Sequence, residues 1–357
     1  MMGIAALSLP SPIVASRLHL VGGSLSGSFA NSQRTFLDRE AVVLQLVDAD
    51  GQTGVGEAAP LVGHSQECLS QCMSALYGVH KRITMDAEGW PVADGLSALP
   101  AARFALETAY LDLLARRHAV SIATLFQGLA QPIPRSAVAQ SLTEAESAWQ
   151  RGIRTIKVKV GDPIKEASDE LHILSQLRSR LGKSLRLRLD ANGAWPLEKA
   201  RAQLSCYAEW EPEFVEQPVA VQELDRLGSC AVPWAADESL LHPVAAEKLL
   251  QSRDCSVFVL KPALLGFRCA RQLALAAAAC GKGVVITHSL DGPIGLAAAC
   301  ELALSLPSAP LACGLDAHPG LSAFPAVAIP HHAESAAQIA PSRGPGLGFP
   351  VAGLPWT

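Results

Sequence analysis

Leu187-Arg188-Leu189-Asp190-Ala191-Asn192, Phe214-Val215-Glu216-Gln217-Pro218 and Trp234-Ala235-Ala236-Asp237-Glu238-Ser239 share one form, an apolar run that ends on a carboxylate. Asp190, Glu216 and Asp237 follow one another at intervals of 26 and 21 residues. Lysines bracket them, Lys157-Val158-Lys159 upstream and Lys261 in Val259-Leu260-Lys261-Pro262 downstream. If the runs are strands of a parallel βα array, all these charges lie at one end of the sheet, where such folds place their chemistry. A lone Asp after a strand is most often a helix cap or a turn former. Three carboxylates ending consecutive strands are different, because unpaired like charges in a low-dielectric site cost several kcal/mol. A divalent cation relieves that repulsion, and an all-oxygen donor set favours Mg²⁺, with Mn²⁺ as the alternative, over zinc.

The same alternation extends in both directions. Strands are expected at 136–141, 155–160, 185–189, 214–216, 234–237, 257–261, 283–287 and 311–315. Helices are expected between them at 164–181, 197–207, 244–251, 267–280 and 293–304. Start-to-start spacings of 19 to 30 residues fit one βα unit each and a right-handed parallel barrel. Before residue 125 the pattern changes. Residues 17–25 and 40–55 alternate apolar and polar around Asp48-Ala49-Asp50-Gly51, as antiparallel strands joined by a turn do. Helical periodicity follows over 66–80 and over 101–117, where Ala102, Ala105, Leu106, Ala109, Tyr110 and Leu113 form one apolar stripe. The expected architecture is α/β, a (β/α)7β TIM-like barrel over 126–329 with an N-terminal α+β capping domain over 1–125. A C-terminal arm, 330–357, rich in Gly and Pro from Ala340 onward, is expected to pack back on the capping domain.

Composition narrows the class of function. A chain of 357 residues suits a barrel of about 250 residues plus a smaller partner. Its 49% hydrophobic content fills a large core, and a formal charge of −4 gives no electrostatic reason to bind nucleic acid. The nine cysteines are scattered, mostly in apolar or Ala-rich segments, and read as buried free thiols of a reducing compartment. Cys68 and Cys72 would share a helix face, but two thiols without further ligands are a weak metal signal. The first twelve residues lack the basic start and long apolar stretch of a signal peptide, and Glu301, Pro307 and Pro310 interrupt the most apolar later stretch. A cytoplasmic protein that does not engage a membrane is expected. The oligomeric state is left open, a homo-oligomer included.

Lys-x-Lys, Asp-x-Asn, Glu-Gln-Pro, Asp-Glu-Ser and Lys-Pro on five successive strands resemble the enolase superfamily, in its muconate cycloisomerase branch. The likeness runs from Gly56-Glu57-Ala58-Ala59-Pro60-Leu61 to Gly314-Leu315-Asp316. It implies abstraction of a proton α to a carboxylate, with Asp190, Glu216 and Asp237 as metal ligands and Lys159 and Lys261 facing each other across a small carboxylate substrate. A lysine base working with Mg²⁺ is that superfamily's general scheme. Asn192 and Glu238 lie within two residues of a ligand and would orient it by hydrogen bonding. Lys157 shares a strand face with Lys159, either tuning it by repulsion or pairing with a carboxylate. Arg188 shares a face with Asp190 and would hold a carboxylate of the same cluster.

The resemblance is less specific for the reaction. Within the branch, Leu187 to Trp195, Val259-Leu260-Lys261-Pro262 and Gly314-Leu315-Asp316 are most similar to a dehydratase that aromatises a cyclohexadiene carboxylate carrying a succinyl chain. Dipeptide epimerases carry Asp-x-Asp where this chain has Gly314-Leu315-Asp316, so one partner of a substrate ammonium is missing. N-acylamino acid racemase and muconate cycloisomerase chemistry do not require that pair, and a barrel serving only as a scaffold is the non-enzymatic alternative. Ser289, Gly314, Asp316 and His64 are the expected substrate contacts. Thr287-His288-Ser289-Leu290-Asp291-Gly292 departs from the Glu-Ser or Ser-Ser forms of several relatives. Gly22-Gly23-Ser24-Leu25-Ser26-Gly27 and the His64 segment are expected to be mobile loops closing the mouth. His288 and His318 each lie near a strand end, within reach of substrate, but a lone His there is more often a hydrogen-bonded structural residue, so neither is placed in the catalytic set.

Overall fold

The computed structural model describes residues 9–30, 35–162, 167–350 and 355. Three antiparallel strands, β1 (Ile13–Ala30), β2 (Thr35–Asp48) and β3 (Thr53–Ala58), form the N-terminal sheet in that order. The β2–β3 turn is set by Asp48, whose Oδ1 accepts from Asp50 N and Gln52 N at 3.1 and 2.9 Å. The expected loop at Gly22 to Gly27 is instead part of β1, with a register shift between Ser24 and Phe29. Close approach, rather than mobility, explains Gly22: its φ is +107° and a Cβ there would meet Arg39 O at 2.2 Å.

The helix Pro100–Arg117 lies against β3 at very short range. A Cβ on Gly56 would meet Ala105 O at 2.0 Å, and one on Gly54 would meet Ala109 O at 2.3 Å, so only glycines allow this contact. The expected apolar stripe is buried, but so is the opposite face, including Glu107, Thr108, Asp112 and Arg116. Partners compensate that polarity. Asp112 accepts from Val55 N at 2.9 Å and Leu347 N at 2.8 Å and pairs with Arg116 at 3.0 Å, while Arg116 donates to Phe349 O at 3.0 Å. The C-terminal segment up to residue 350 thus docks on this helix. The end of the expected arm, residues 351–354 and 356–357, lies outside the described residues, as do 1–8 and 31–34.

The remainder is α/β. Seven parallel strands, β4 (Ser136–Val138), β5 (Thr155–Lys159), β6 (Arg186–Asp190), β7 (Phe214–Glu216), β8 (Trp234–Ala236), β9 (Cys255–Leu260) and β10 (Gly283–Ile286), pair in sequence order. The helices Leu197–Tyr207 and Pro293–Leu304 have the expected bounds, and Ala167–Leu181 is the described part of the helix expected from 164. The sheet is curled, because one segment bonds both of its edges. Ser136 N donates to Cys313 O at 2.8 Å, and Gly314 N donates to Ile286 O at 2.9 Å. Residues 311–315 form isolated bridges rather than the expected strand. Pro310 supplies no donor before the run, and Asp316 leaves the sheet after it. Phe214, Ala235, Val257, Val259 and Val285 fill a small core of their own on these strands.

Two further expectations need correction. Only Cys72, Cys255, Cys300 and Cys313 are buried; Cys68, Cys206 and Cys280 are exposed, Cys230 and Cys269 are intermediate, and all are free. Cys68 caps the helix Leu69–Leu76 in solvent while Cys72 faces the core, so the two do not share a surface. Among the described residues no helix is long and apolar enough to cross a membrane.

The N-terminal sheet is tied to the segment after β10 by buried charge. Arg39 donates to Leu290 O and Pro60 O at 2.8 Å each, and also to Ala59 O. Glu57 accepts from Gly292 N at 2.6 Å and Gly295 N at 3.2 Å, capping the helix Pro293–Leu304. Burial, reinforced by Asp291, pushes Glu57 up from 4.5 to about 7. The folded protein therefore binds this proton more tightly than the unfolded chain. The associated stability is complete below about pH 4.5 and is lost as pH rises through about 7, on the order of 3 kcal/mol in all. Glu57→Gln is expected to flatten the fall of Tm across this range, leaving the similar contribution of Glu107. An unchanged slope would assign the effect elsewhere.

Candidate active site

Asp190 and Glu216 end β6 and β7 and are hydrogen-bond neighbours in register, while Asp237 directly follows β8. Each is only 2% exposed. Among the described residues, no three His, Cys, Asp or Glu side chains converge as a ready-made metal cage. Lysines fill the space between the carboxylates instead. Lys157 Nζ lies 3.0 Å from both Asp190 Oδ2 and Glu216 Oε1, and Lys261 Nζ pairs with Asp237. Of its two expected roles, Lys157 thus takes the ion-pair one. It also contributes repulsion to Lys159, whose amine is held below its ordinary value by burial and by the Lys157 and Lys261 charges, against the pull of Asp190.

The environments of the two facing lysines differ. Lys159 makes no ion pair among the described residues; its Nζ donates to Asn192 Oδ1 at 3.1 Å. Burial also disfavours the ammonium of Lys261, but Asp237, Glu238 and Glu216 outweigh it and hold its pKa above the ordinary value. Asp237 is raised by burial and by Glu238, whereas the lysines hold Asp190 low despite its burial. Asn192 links the cluster: its N donates to Asp190 Oδ1 and its Nδ2 to Glu238 Oε1, both at 3.1 Å. The strand ends carry left-handed residues, Asn192 at φ 45° and Gln217 at φ 39°. Sequence reasoning assigned no role to Gln217. Its Oε1 accepts from Asp237 N at 3.1 Å and Ser239 N at 3.2 Å, and its Nε2 donates to Ser239 Oγ at 2.8 Å, so it fixes the turn that presents Asp237.

Other expected site residues lie elsewhere. Arg188 does not reach the carboxylate cluster; it pairs with Glu213, donates to Ala312 O at 2.6 Å and stacks on Phe214. Its guanidinium runs toward the start of the strands, so sharing a face with Asp190 does not bring them together. Asp316 is bound by Arg135 at 3.1 Å and Arg151 at 2.8 Å. Ser136 Oγ lies on the inner side near Gly314, so by strand alternation Arg135, and Asp316 with it, lies outside the sheet. Gly314 does face inward, and a Cβ there would meet Thr287 Oγ1 at 2.5 Å. Ser289 is buried with no partner for its Oγ among the described residues. His64, on the turn from Leu61 to Ser65, is held below its ordinary pKa by burial and by Lys261, which places it within electrostatic range of the lysines.

The family model described as "Enolase C-terminal domain-like" matches residues 140–352, and the chain belongs to that family within the enolase superfamily. It is 29% identical to o-succinylbenzoate synthase of Thermosynechococcus vestitus over 281 residues, 76% of this chain and 82% of the relative. It is 30% identical to chloromuconate cycloisomerase of Cupriavidus pinatubonensis over 307 residues, 79% of this chain and 81% of that protein. The substrate-liganded L-Ala-D/L-Glu epimerase from Bacillus subtilis superposes with a TM-score of 0.82 at 23% identity, covering 96% of this chain and 100% of that one. These relatives carry three different reactions, so the superfamily is defined and the reaction must be argued from the site.

Proposed function

We propose that this chain is a (β/α)7β-barrel lyase, an o-succinylbenzoate synthase of menaquinone biosynthesis, catalysing syn-dehydration of a succinyl cyclohexadiene carboxylate. The metal site fits the residues present. Asp190, Glu216, Asp237 and Glu238 place four carboxylates against two paired ammoniums, Lys157 and Lys261, an excess of hard negative oxygen that suits Mg²⁺ or Mn²⁺. Asp190, Glu216 and Asp237 would hold the ion, which when bound supplies positive charge to the substrate carboxylate.

The asymmetry of the two lysines supports different roles for them. Lys159, with its depressed pKa, removes the ring proton α to the carboxylate. Negative charge then builds on the carboxylate as the enediolate forms, and the Lys261 ammonium stabilises it from the opposite face. The proton on Lys159 passes to the departing hydroxide, so water leaves and the ring becomes aromatic. One acid/base lysine suffices because aromatisation drives the second half.

The pairing of Asp316 with Arg135 and Arg151 carries the choice of substrate. A dipeptide brings an α-ammonium to this wall, where Gly314 offers no carboxylate and Asp316 is already neutralised. Leaving such a cation poorly paired costs about 3 kcal/mol, roughly a hundredfold or more in specificity. Side-by-side kinetics test this. The cyclohexadiene substrate is expected to exceed L-Ala-L-Glu in kcat/KM by at least that factor, and a higher value for the dipeptide would replace this reading with an epimerase.

A further inference from the structure

The helix Phe267–Ala279 has no cap of its own. Its N-cap is Gly266, which has no side chain to accept from the backbone N–H groups of the first turn. The acceptor comes from the N-terminal unit: Glu107, on the helix Pro100–Arg117, accepts from Arg268 N at 3.0 Å. Arg103, one turn earlier on that helix, donates to Leu265 O at 2.6 Å and lies 3.7 Å from Glu107. Both side chains pass close over Gly266, where φ is +84° and a Cβ would meet Arg103 Nε at 2.8 Å and Glu107 Oε2 at 3.3 Å. A glycine admits the pair where a side chain would obstruct it.

What this pair holds is the turn that begins at Lys261. Leu264 N donates back to Lys261 O at 3.0 Å, and Gly266 N donates to Pro262 O at 2.8 Å. Pro262 through Leu265 are buried, so the turn is a short, packed link between Lys261 and the residues that Arg103 and Glu107 hold. The same device recurs after β10. A Cβ on Gly292 would meet Glu57 Oε2 at 2.5 Å, and Glu57 supplies the acceptor for the next helix while Arg39 donates to Leu290 O. Both carboxylates are buried, but the turn held by Glu57 carries no lysine, whereas the one held by Glu107 carries Lys261.

We propose that Glu107, braced by Arg103, is a positioning residue for Lys261, fixing from the N-terminal unit the turn on which that ammonium sits. Placement matters because Lys261 acts by charge on the enediolate, and such stabilisation depends on distance and direction. Glu107 acts through the backbone, since its bond is to Arg268 N and not to the lysine. This inference rests on the dehydratase reading above, in which Lys261 is the stabilising ammonium.

A double-mutant cycle with Lys261→Ala tests it on the succinyl cyclohexadiene carboxylate, read as single-turnover rates so that the slow Lys261→Ala background is measurable. Glu107→Ala is expected to lower the rate about ten- to a hundredfold with KM nearly unchanged. In the Lys261→Ala background it is expected to cost less than about twofold. Glu107→Gln, which keeps an oxygen for Arg268 N, is expected to recover most of the loss. Glu57→Ala removes the equivalent cap from the turn without a lysine, so whatever it costs is expected to be the same in both backgrounds. Equal losses from Glu107→Ala in both backgrounds, no loss in either, or the same coupling to Lys261 from Glu57→Ala overturns the proposal while leaving the dehydratase reading intact. If the unaltered protein does not turn over this substrate, or Lys261→Ala costs nothing, that reading fails and the proposal fails with it. Glu107→Ala is expected to fold, because Arg268 also pairs with Asp86 and Glu88 of the N-terminal unit. Should it not, Arg103→Ala takes its place: a loss confined to the parent background is expected, and no loss, or one that persists without Lys261, overturns the proposal equally.

Discussion

Lys159→Ala and Lys261→Ala are each expected to lower turnover by at least about 10³, because each removes a group that acts mainly in the transition state. The two losses are expected to differ in kind. Among the described residues Lys159 donates only to Asn192, and its pKa is depressed by burial, which favours it as the proton acceptor. Lys261 is locked to Asp237 and held protonated, so it contributes charge. In deuterated water, Lys159→Ala should lose exchange of the substrate α-proton. Lys261→Ala should retain slow exchange, because the base is intact although the enediolate is less stable. Exchange that persists in Lys159→Ala and vanishes in Lys261→Ala would show the roles reversed.

The residues that terminate strands were legible in the sequence because a strand end at a βα turn is local: an apolar run stops and a polar residue follows. That is why β7 has its expected bounds and why Asp190 and Glu216 end their strands. The helices Leu197–Tyr207 and Pro293–Leu304 were legible for a similar reason, since Pro196 and Pro293 fix where each begins. Direction beyond the strand end was not legible. Asp316 lies two residues after Gly314, which suggests a shared face, yet the chain leaves the sheet between them and Asp316 meets Arg135 and Arg151 outside it. Arg188 failed differently: periodicity gives its face but not which way a long side chain runs along the strand axis, and it runs toward Glu213.

Contacts distant in sequence were also hidden. Nothing in the pattern around His288 or His318 announces that the two rings stack. Gln217 was visible in Glu-Gln-Pro, but its value lies in bonds to Asp237 and Ser239 on the next strand. The glycines from 22 to 27 suggested mobility, whereas the packing of Gly22 against Arg39 requires a residue without a Cβ. A glycine signals permitted conformation, and only the fold says whether that freedom serves motion or proximity.

Asp190→Ala, Glu216→Ala and Asp237→Ala are expected to abolish activity with little change in fold, as a metal site reduced to two carboxylates holds a hard cation poorly. The fold should persist because each substitution leaves the remaining charges either paired or in the field of opposite charges. In Asp190→Ala the Lys157 ammonium keeps Glu216, and in Glu216→Ala it keeps Asp190, each at 3.0 Å in the parent protein. In Asp237→Ala, Lys261 loses its ion-pair partner but stays in the field of Glu238 and Glu216. Chelation of the parent protein should likewise remove activity while largely preserving Tm, since the lysines neutralise the carboxylates in the absence of a cation. Titration calorimetry with Mg²⁺ and with Mn²⁺ separates binding from chemistry. Affinity should fall by more than the 10- to 100-fold typical of losing an outer partner of a ligand. Asn192→Ala supplies that milder comparison, because Asn192 touches Asp190, Glu238 and Lys159 but would not itself hold the ion. Full activity of any of the three carboxylate variants at limiting Mg²⁺ would remove that residue from the metal site, and an Asn192→Ala loss as large as theirs would move Asn192 into it.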